Sequence, residues 1–247
     1  MSGHSKWNNI QHKKNAMDAI RGKMFMKLSK DIFLEARRGG GDPDMNAGLR
    51  HAIEKAKAAN MPNDNISRAI KKAAGNLDGV VYTEITYEGY GPGGVAVMVD
   101  VLTDNRNRSA SEIRHAFAKS GGNLGESGSV AFLFDKQGLI EIEKQDGVDE
   151  DQLMIDAIDA GADDVQTEDD RFIIMASPDT FETVKASLET DKSYVIDRAE
   201  VVMVPKTRTA LAGAEREKMD TLLETLEEND DVQDIYSNLE EDASSAV

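Results

Sequence analysis

The sequence of 247 residues contains no cysteine, five prolines and only 5% aromatic residues. The lack of cysteine excludes disulfide bonds, thiolate nucleophiles and cysteine-based zinc sites. No window approaches the roughly 18 apolar residues of a membrane-spanning helix, and the basic N-terminus lacks the apolar segment of a secretory signal. With 40% hydrophobic and 30% charged residues, the composition indicates a soluble globular protein, for which we expect a cytoplasmic location and no membrane partner.

Residue patterns that support catalysis are also scarce. The four histidines, at positions 4, 12, 51 and 115, form no pair at the three- or four-residue spacing of metal ligands. No Ser-His-Asp arrangement is recognisable. Acidic runs such as 228–231 lack the spacing of a calcium loop, and we interpret them as solvated turns. We therefore expect no enzymatic activity, no metal and no cofactor.

The glycine-rich stretch YEGYGPGG, at 87–94, invites comparison with phosphate-binding loops. A Walker loop requires a lysine and a hydroxyl residue after its glycines, and a dinucleotide fingerprint requires a following helix. The stretch is instead followed by VAVMVD, which has neither feature. We interpret it as a connection between two strands, in which glycine permits positive φ and Pro92 fixes one turn residue.

Charge is distributed unevenly along the chain. Residues 1–75 contain 15 Lys and Arg against 7 Asp and Glu, a net charge of +8, whereas residues 76–247 contain 14 against 39, a net charge of −25. One end of the molecule should therefore attract polyanions, and the other should repel them. The alternative interpretation is that the basic helices are merely solvated.

The N-terminal region has the apolar spacing of helices over residues 23–38, 49–60 and 63–75. Residues 1–20 show little periodicity, and we expect a mobile arm there. The predicted first domain, residues 1–78, is therefore a basic N-terminal arm followed by a three-helix domain.

From residue 80 the apolar period changes to two, which predicts strands. Residues 137–204 follow the order β-α-β-β-α-β of a ferredoxin-like unit. Residues 80–134 supply β-β-α-β, with SVAFLF as the last strand, and a helix at 215–228 with the strand VQDIYS completes the set. We interpret this second set as a circularly permuted ferredoxin-like unit.

The predicted fold class is therefore α+β, with a three-helix domain and two ferredoxin-like domains, the last inserted into the middle one. The permuted domain comprises 79–135 and 205–240, and the inserted domain comprises 136–204. The segment 137–204 carries five Lys and Arg against nineteen Asp and Glu, a net charge of −14, so it is a possible surface for a protein partner.

Backbone-directed nucleic-acid binding is the function that the basic residues favour. Lys23, Lys27 and Lys30 recur at i, i+4 and i+7, which predicts a basic stripe that follows phosphates. Trp7 is suited to stacking on a base or, equally, to docking the arm. The predicted nucleic-acid-binding residues are Lys6, Trp7, Lys13, Lys14, Arg21, Lys23, Lys27, Lys30, Arg37, Arg38, Arg106 and Arg108.

Arg106 and Arg108 precede a helix for which Ser109 and Glu112 have the spacing of a capping box. Arginine forks beside a helix N-terminus suit a phosphate, but Asp104 and Glu112 are alternative internal partners. Further cations extend the positive surface of the first helix over the second and third helices: Arg50, Lys55, Lys57, Arg68, Lys71 and Lys72. Arg114, His115 and Lys119 follow Arg106 and Arg108 on the same helix. We predict no helix-turn-helix, because the turn between the second and third helices lacks glycine and nothing marks a base-reading helix.

Several motifs in the same order resemble the YebC family, which is also named for a mitochondrial translational activator. They are GHSKW (3–7), RGK (21–23), GGGDPD (39–44), YEGYGPGG (87–94), DNRNR (104–108), GGNLG (121–125), GSVAFLF (128–134) and DDVQDIY (230–236). The resemblance implies a helical domain and two α+β domains, the third inserted in the second, and nucleic acid as partner. Bacterial members are commonly labelled probable DNA-binding transcriptional regulators, and others have been linked to ribosomes stalled on proline-rich stretches.

Three hypotheses follow. The leading one is a cytoplasmic DNA-binding regulator of transcription. The second is a translation factor that binds ribosomal RNA, because shape-directed RNA contacts need no recognition helix. The third is a protein-interaction module that acts through the acidic inserted domain.

Overall fold

The structure is a computed structural model that describes residues 4–75, 81–145, 147–190 and 194–240, with side chains described from residue 21 onward. The helices are α1 (His4–Gly39), α2 (Ala47–Ala58), α3 (Asn63–Gly75), α4 (Arg106–Lys119), α5 (Glu150–Asp159), α6 (Phe181–Thr190) and α7 (Gly213–Glu227). The strands are β1 (Thr83–Tyr90), β2 (Ala96–Thr103), β3 (Asn123–Leu124), β4 (Phe134–Glu143), β5 (Asp164–Thr167), β6 (Arg171–Ala176), β7 (Ile196–Pro205) and β8 (Val232–Ser237). The predicted α+β class is confirmed.

The chain forms two compact units. The first contains Met1–Ser127 and Leu211–Ile235, and the second contains Gly128–Ala210 and Tyr236–Val247. The helical region and the first sheet thus belong to one unit, and the second sheet belongs to the other.

The three predicted N-terminal helices are confirmed. The first of them, α1, is longer than predicted, because it already begins at His4. The mobility of this segment stays a prediction. Residues 4–20 contain no proline or glycine that would stop a helix, so propensity extends the helix where apolar periodicity is weak. Alanine is frequent among the buried residues where the three helices pack. These buried residues include Leu28, Ile32, Leu49, Ala56, Ala69 and Ala73. Alanine contacts bring the helices close together while burying little area each.

Buried Asn46 fixes the turn between α1 and α2. Its side-chain oxygen accepts a hydrogen bond from the backbone N–H of Leu49 at 3.1 Å, which caps α2. Its amide nitrogen donates to the carbonyls of Glu35 at 2.8 Å and Gly40 at 2.9 Å. One asparagine therefore both begins the second helix and ties it to the end of the first.

The turn between α2 and α3 contains Asn60 at φ 58°, the left-handed conformation that favours glycine. Asparagine adopts this conformation more readily than other side chains do. The lack of glycine in this turn is therefore no argument against a helix-turn-helix. The prediction that there is none now depends on its other ground, that nothing marks a base-reading helix, and stays a prediction.

The first sheet has the strand order β3-β1-β2-β8. β1 and β2 are antiparallel, with Thr83 opposite Thr103 and Tyr90 opposite Ala96. Along the chain the elements of this unit follow β1-β2-α4-β3-α7-β8, which is the predicted order β-β-α-β-α-β. Every rotation of β-α-β-β-α-β keeps two strands between the two helices, whereas only β3 of this sheet lies between α4 and α7, so the unit is not a simple circular permutation of the ferredoxin-like order.

The strand predicted over SVAFLF is also wrong. Residues Ala131–Leu133 form a 3-10 turn and β4 begins only at Phe134. The apolar residues suggested a strand, but Phe132 is 62% exposed whereas Val130 and Phe134 are buried. The strand that the first sheet has in place of SVAFLF is the short strand β3, which pairs with the end of β1.

The second sheet has the order β5-β6-β4-β7, and each neighbouring pair is antiparallel. This is the ferredoxin-like arrangement that the sequence predicts for residues 137–204. Helices α5 and α6 contribute Leu153 and Leu188 to a core whose sheet residues include Ile140, Phe172 and Ile174. The alternation of buried and half-buried residues along β6 explains why the period of two in the sequence predicted this strand.

The glycine-rich stretch forms the predicted connection between β1 and β2. Residues Pro92–Gly94 make a 3-10 turn in which Gly93 and Gly94 have φ of 65° and 78°. A Cβ atom on Gly91 would lie only 2.6 Å from the sulfur of Met219, so this glycine allows α7 to approach the turn.

Candidate nucleic-acid interface

A buried carboxylate organises the first unit at the point where α1, β2, α4 and the α7–β8 connection meet. Asp231 forms an ion pair with Lys30 at 2.9 Å and with Arg108 at 2.7 Å. The hydroxyls of Thr103 and Ser109 donate to its second oxygen at 3.0 and 2.9 Å. We call these five residues the Asp231 cluster. Residue type alone does not separate Asp231 from the neighbouring solvated acids, and its interpretation as a solvated turn residue is wrong.

The pKa of Asp231 reflects these contacts. Burial by itself would raise it, but hydrogen bonds from Arg108, Lys30 and Ser109 outweigh burial and hold the pKa well below its usual range. The carboxylate is therefore charged in the folded protein.

The predicted basic stripe faces the C-terminal end of α7. The ammonium groups of Lys23 and Lys27 each lie 3.2 Å from a backbone carbonyl oxygen, of Glu228 and Glu227 respectively. Lys30 lies 2.8 Å from the carbonyl oxygen of Asp230, and its side chain is only 11% exposed. The carbonyls of Glu227 and Glu228 lie at the C-terminus of α7, where the negative end of the helix dipole attracts lysine as a phosphate does.

These contacts argue against the phosphate-binding role that the spacing of the three lysines suggested for the stripe. Lys30 is bound inside the Asp231 cluster, so it is not available to a phosphate without breaking that cluster. Lys23 remains exposed and Lys27 is half-buried. Burial lowers the pKa of Lys27, although Asp234, Glu227 and Asp230 act in the opposite direction.

The other predicted residues of α1 differ in what they contact. Arg21, Arg37 and Arg38 are exposed. A guanidinium nitrogen of Arg37 lies 3.4 Å from the carbonyl oxygen of Ala73, and Arg38 pairs with Glu35 at 2.9 Å and with Glu84. Lys6, Trp7, Lys13 and Lys14 lie in the helical backbone of α1, and their side chains are outside the described residues.

The start of α4 is capped by Asn105 and not by the predicted capping box. The Asn105 side chain accepts a hydrogen bond from the N–H of Arg108 at 3.1 Å. Ser109 is fully buried within the helix, where its hydroxyl oxygen also lies 2.8 Å from that of Thr103. Arg106 and Arg108 consequently lie in the first turn of α4 rather than before it.

We expect Asn105→Ala to lower the free energy of unfolding by about 1 kcal/mol, because one N-cap hydrogen bond is removed. Ser111→Ala, an exposed change on the same helix, should have no measurable effect. Urea unfolding followed by circular dichroism compares the two variants. Equal stability of Asn105→Ala and the wild type would show that the cap contributes nothing.

The two predicted arginines of α4 differ in their availability. Arg108 is held by Asp231 and by Asp104 at 3.1 Å, in agreement with the alternative of internal partners. Arg106 is exposed, and its backbone carbonyl accepts a hydrogen bond from Tyr87 at 3.4 Å. Burial raises the pKa of Tyr87, and the nearby charges of Arg106 and Arg114 oppose that shift. Arg106 and Arg114 thus lie near one half-buried tyrosine.

Exposed cations also lie beyond the first helix. Within the part of the chain that the structure describes, four exposed side chains of α2 and α3 form no hydrogen bond or ion pair with protein atoms: Arg50, Lys57, Arg68 and Lys71. The sequence showed their charge, but not that they have no partner among the described residues while Lys23, Lys27 and Lys30 contact the end of α7 and the residues after it.

Metal-binding and membrane-spanning features do not occur among the described residues. No three His, Asp or Glu side chains there are placed to share a metal ion. None of the helices described is both long enough and apolar enough to cross a membrane.

The molecule is thus an α+β protein with a basic helical N-terminal region, two four-stranded sheets and exposed cations on α2, α3 and α4. Family models described as "TACO1/YebC protein N-terminal domain" and "TACO1/YebC second and third domain" match residues 5–76 and 82–239. The chain belongs to the TACO1/YebC family.

Its relatives are similar over nearly their whole length. A "Probable transcriptional regulatory protein" of Anoxybacillus flavithermus is 57% identical over 98% of both chains. The "Probable transcriptional regulatory protein YrbC" of Bacillus subtilis is 54% identical over 96% of this chain and 99% of its own. The crystal structure of the conserved hypothetical protein Aq1575 from Aquifex aeolicus is 47% identical, with a TM-score of 0.80 over 90% of this chain and 91% of that one.

Proposed function

We propose that this protein is a non-enzymatic regulator of gene expression that binds nucleic acid through its phosphate backbone, with DNA as the leading target. The observation that carries the proposal is the set of exposed cations on α2 and α3 that have no partner among the described residues (Arg50, Lys57, Arg68 and Lys71), in a region of net positive charge. The names of the relatives support regulation of transcription as the process. We propose the cytoplasm as its location.

The contacts would be mainly electrostatic. Lysine and arginine that reach phosphates release condensed counterions, so affinity falls steeply as salt increases. Arg106 and Arg114 offer a second contact near Tyr87, and the acidic remainder of the chain would keep other surfaces away from the polyanion. The domain boundaries predicted from the sequence and a protein partner at the acidic inserted domain remain predictions.

The proposal predicts a change in salt dependence when Arg50, Lys57 and Lys71 are replaced together by alanine. We expect the slope of log affinity against log salt concentration to fall by about 2 to 3, at roughly 0.7–0.9 for each phosphate that the variant no longer neutralises. Fluorescence anisotropy of a labelled DNA duplex over a series of KCl concentrations measures the slope.

A matched control removes three positive charges elsewhere, with Lys136, Lys206 and Lys218 changed to alanine. Lys206 and Lys218 are already paired with Asp135 at 3.1 Å and Glu215 at 2.9 Å. The control should keep the wild-type slope. If the slope falls equally in both triple variants, the effect comes from net charge alone, and α2 and α3 are not part of the interface.

An RNA-binding translation factor is the second candidate. The exposed cations are spread over α2, α3 and α4 rather than along one helix face, which suits recognition of a folded RNA by shape. Sedimentation of cell extract with and without ribonuclease tests association with ribosomes, and footprinting on promoter DNA tests the leading candidate. Co-sedimentation with ribosomes that ribonuclease abolishes, without a DNA footprint, would replace the first candidate with the second.

A further inference from the structure

A groove of about 490 Å³ lies between α1 and α3 in the first unit, with Tyr82 at one side. Its α1 wall includes Gly22, Phe25 and Met26, and its α3 wall includes Arg68 and Lys72. These positions recur at three- and four-residue spacing on each helix, so one face of α1 is opposite one face of α3. The volume is within the range of about 300–1,000 Å³ that is usual for ligand sites.

The groove combines planar apolar walls with a positive rim. Phe25 and Tyr82 are half-buried aromatic residues, and the thioether side chain of Met26 is 42% exposed. Arg68 and Lys72 are exposed on α3, and none of the described residues that line the groove is acidic. Such walls suit a flat, weakly polar ring, and the rim suits an anion attached to it.

A neighbouring cavity provides a contrast. It has a volume of about 600 Å³ and shares Met26, Lys30 and Tyr82 with the groove. Its lining also includes Asp104, Glu112, Glu228, Asp230 and Asp231, which outnumber the three cations Lys23, Lys30 and Arg108. These carboxylates would repel a phosphate, so charge complementarity selects the groove rather than this cavity.

Gly22 belongs to the lining of the groove. Glycine in the interior of a helix costs about 1 kcal/mol relative to alanine. A Cβ atom added at Gly22 would meet no described atom within 4 Å, so close packing does not require glycine there. The position therefore gives access to the groove, and it is a place where a larger side chain can be added without a clash.

We propose that this groove accepts one unstacked nucleobase of a single-stranded segment, with the adjoining phosphates on Arg68 and Lys72. The inference rests on the proposed nucleic-acid binding and adds a preference for unpaired over duplex strands at this site. Aromatic side chains that stack on a base bind with little sequence preference, because every base has a planar face. Tyr82 is held in place by an edge-to-face contact with Phe33 at 5.5 Å and by Lys30, whose ammonium lies 5.8 Å from its ring centre.

The test uses full-length protein and a single-stranded oligonucleotide of about 12 nucleotides carrying 2-aminopurine, made as DNA and as RNA. Stacking in the groove should quench the emission when the wild type binds. Gly22→Leu should abolish the quenching and weaken single-strand binding by about 5- to 100-fold, which corresponds to the removal of one stacked base. The same variant should bind a duplex as the wild type does.

Gly22→Ala is the matched control, because it adds a helix-favouring methyl group but leaves the groove open. It should keep the wild-type quenching and affinity. Both substitutions increase helix propensity, so neither should lower the melting temperature. As a measurement independent of variants, photocrosslinking of a 5-iodouracil oligonucleotide to the wild type should give adducts at Phe25 or Tyr82.

The outcomes separate the two proposals. If the wild type binds oligonucleotides but Gly22→Leu binds and quenches as strongly, the groove is not a base site and the proposed function stands. Crosslinks that map away from Phe25 and Tyr82 also overturn the groove proposal. So does an apolar peptide that occupies the groove without any effect on oligonucleotide binding. If the wild type binds neither single strands nor duplexes, both proposals fail.

Discussion

Replacing Asp231 with alanine is expected to lower the free energy of unfolding by about 3–5 kcal/mol, the usual cost of removing one partner from a buried ion pair. The substitution leaves the ammonium of Lys30 without its carboxylate, in a place where its side chain is only 11% exposed. Thr103 and Ser109, both fully buried, also lose an acceptor. Urea unfolding at neutral pH measures the effect.

The neighbouring residue provides the control. Asp230→Ala removes an exposed carboxylate of the same charge but keeps the backbone carbonyl that accepts the hydrogen bond from Lys30. It should change stability by less than about 0.5 kcal/mol. A decrease below about 1 kcal/mol in Asp231→Ala would show that the cluster is no more stabilising than a surface ion pair.

Asp31→Asn is expected to stabilise the protein at pH 8 by about 2–4 kcal/mol. Burial raises the pKa of Asp31 from 3.8 to about 7; Lys55 opposes the shift, and Asp234, Glu35 and Glu84 add to it. Above pH 7 the folded protein holds a charged carboxylate that burial disfavours. Asparagine has a similar shape and no charge, so this cost disappears.

The pH dependence has a definite sign. Between pH 4 and pH 7 the unfolded chain has released the Asp31 proton while the folded protein retains it, so stability falls as pH rises. The difference in unfolding free energy between Asp31→Asn and the wild type should therefore grow across this interval and level off above it. Asp44→Asn, which changes an exposed carboxyl of the same region, should show no such growth. A constant difference from pH 4 to pH 8 would contradict the raised pKa.

The sequence predicted best the elements whose burial pattern is regular. In β6 the alternation of Phe172, Ile174 and Ala176 with half-buried residues has a period of two, and the second sheet follows from it. The strand prediction for SVAFLF was wrong because its apolar residues do not share a face, as the exposed Phe132 shows. The extension of α1 to His4 was missed because propensity, rather than apolar spacing, sustains that part of the helix.

The candidate site was predictable in charge but not in geometry. Helical spacing showed that Lys23, Lys27 and Lys30 share a face, yet it could not show that the end of α7 covers that face. Asp231 was not distinguishable from Asp230 by residue type, and only its position directly before the buried Val232 indicated burial. Long-range pairing of this kind depends on the tertiary fold, which local patterns do not contain.

The ion pair between Lys30 and Asp231 has a consequence for synthesis of the chain, because its partners are separated by 201 positions. At about 5–20 residues per second, translation would take roughly 10–40 s to produce Asp231 after Lys30. During that time the nascent α1 would carry its ammonium groups uncompensated by the end of α7. The final assembly of the first unit is therefore a late event, completed only once the last helix has left the exit tunnel.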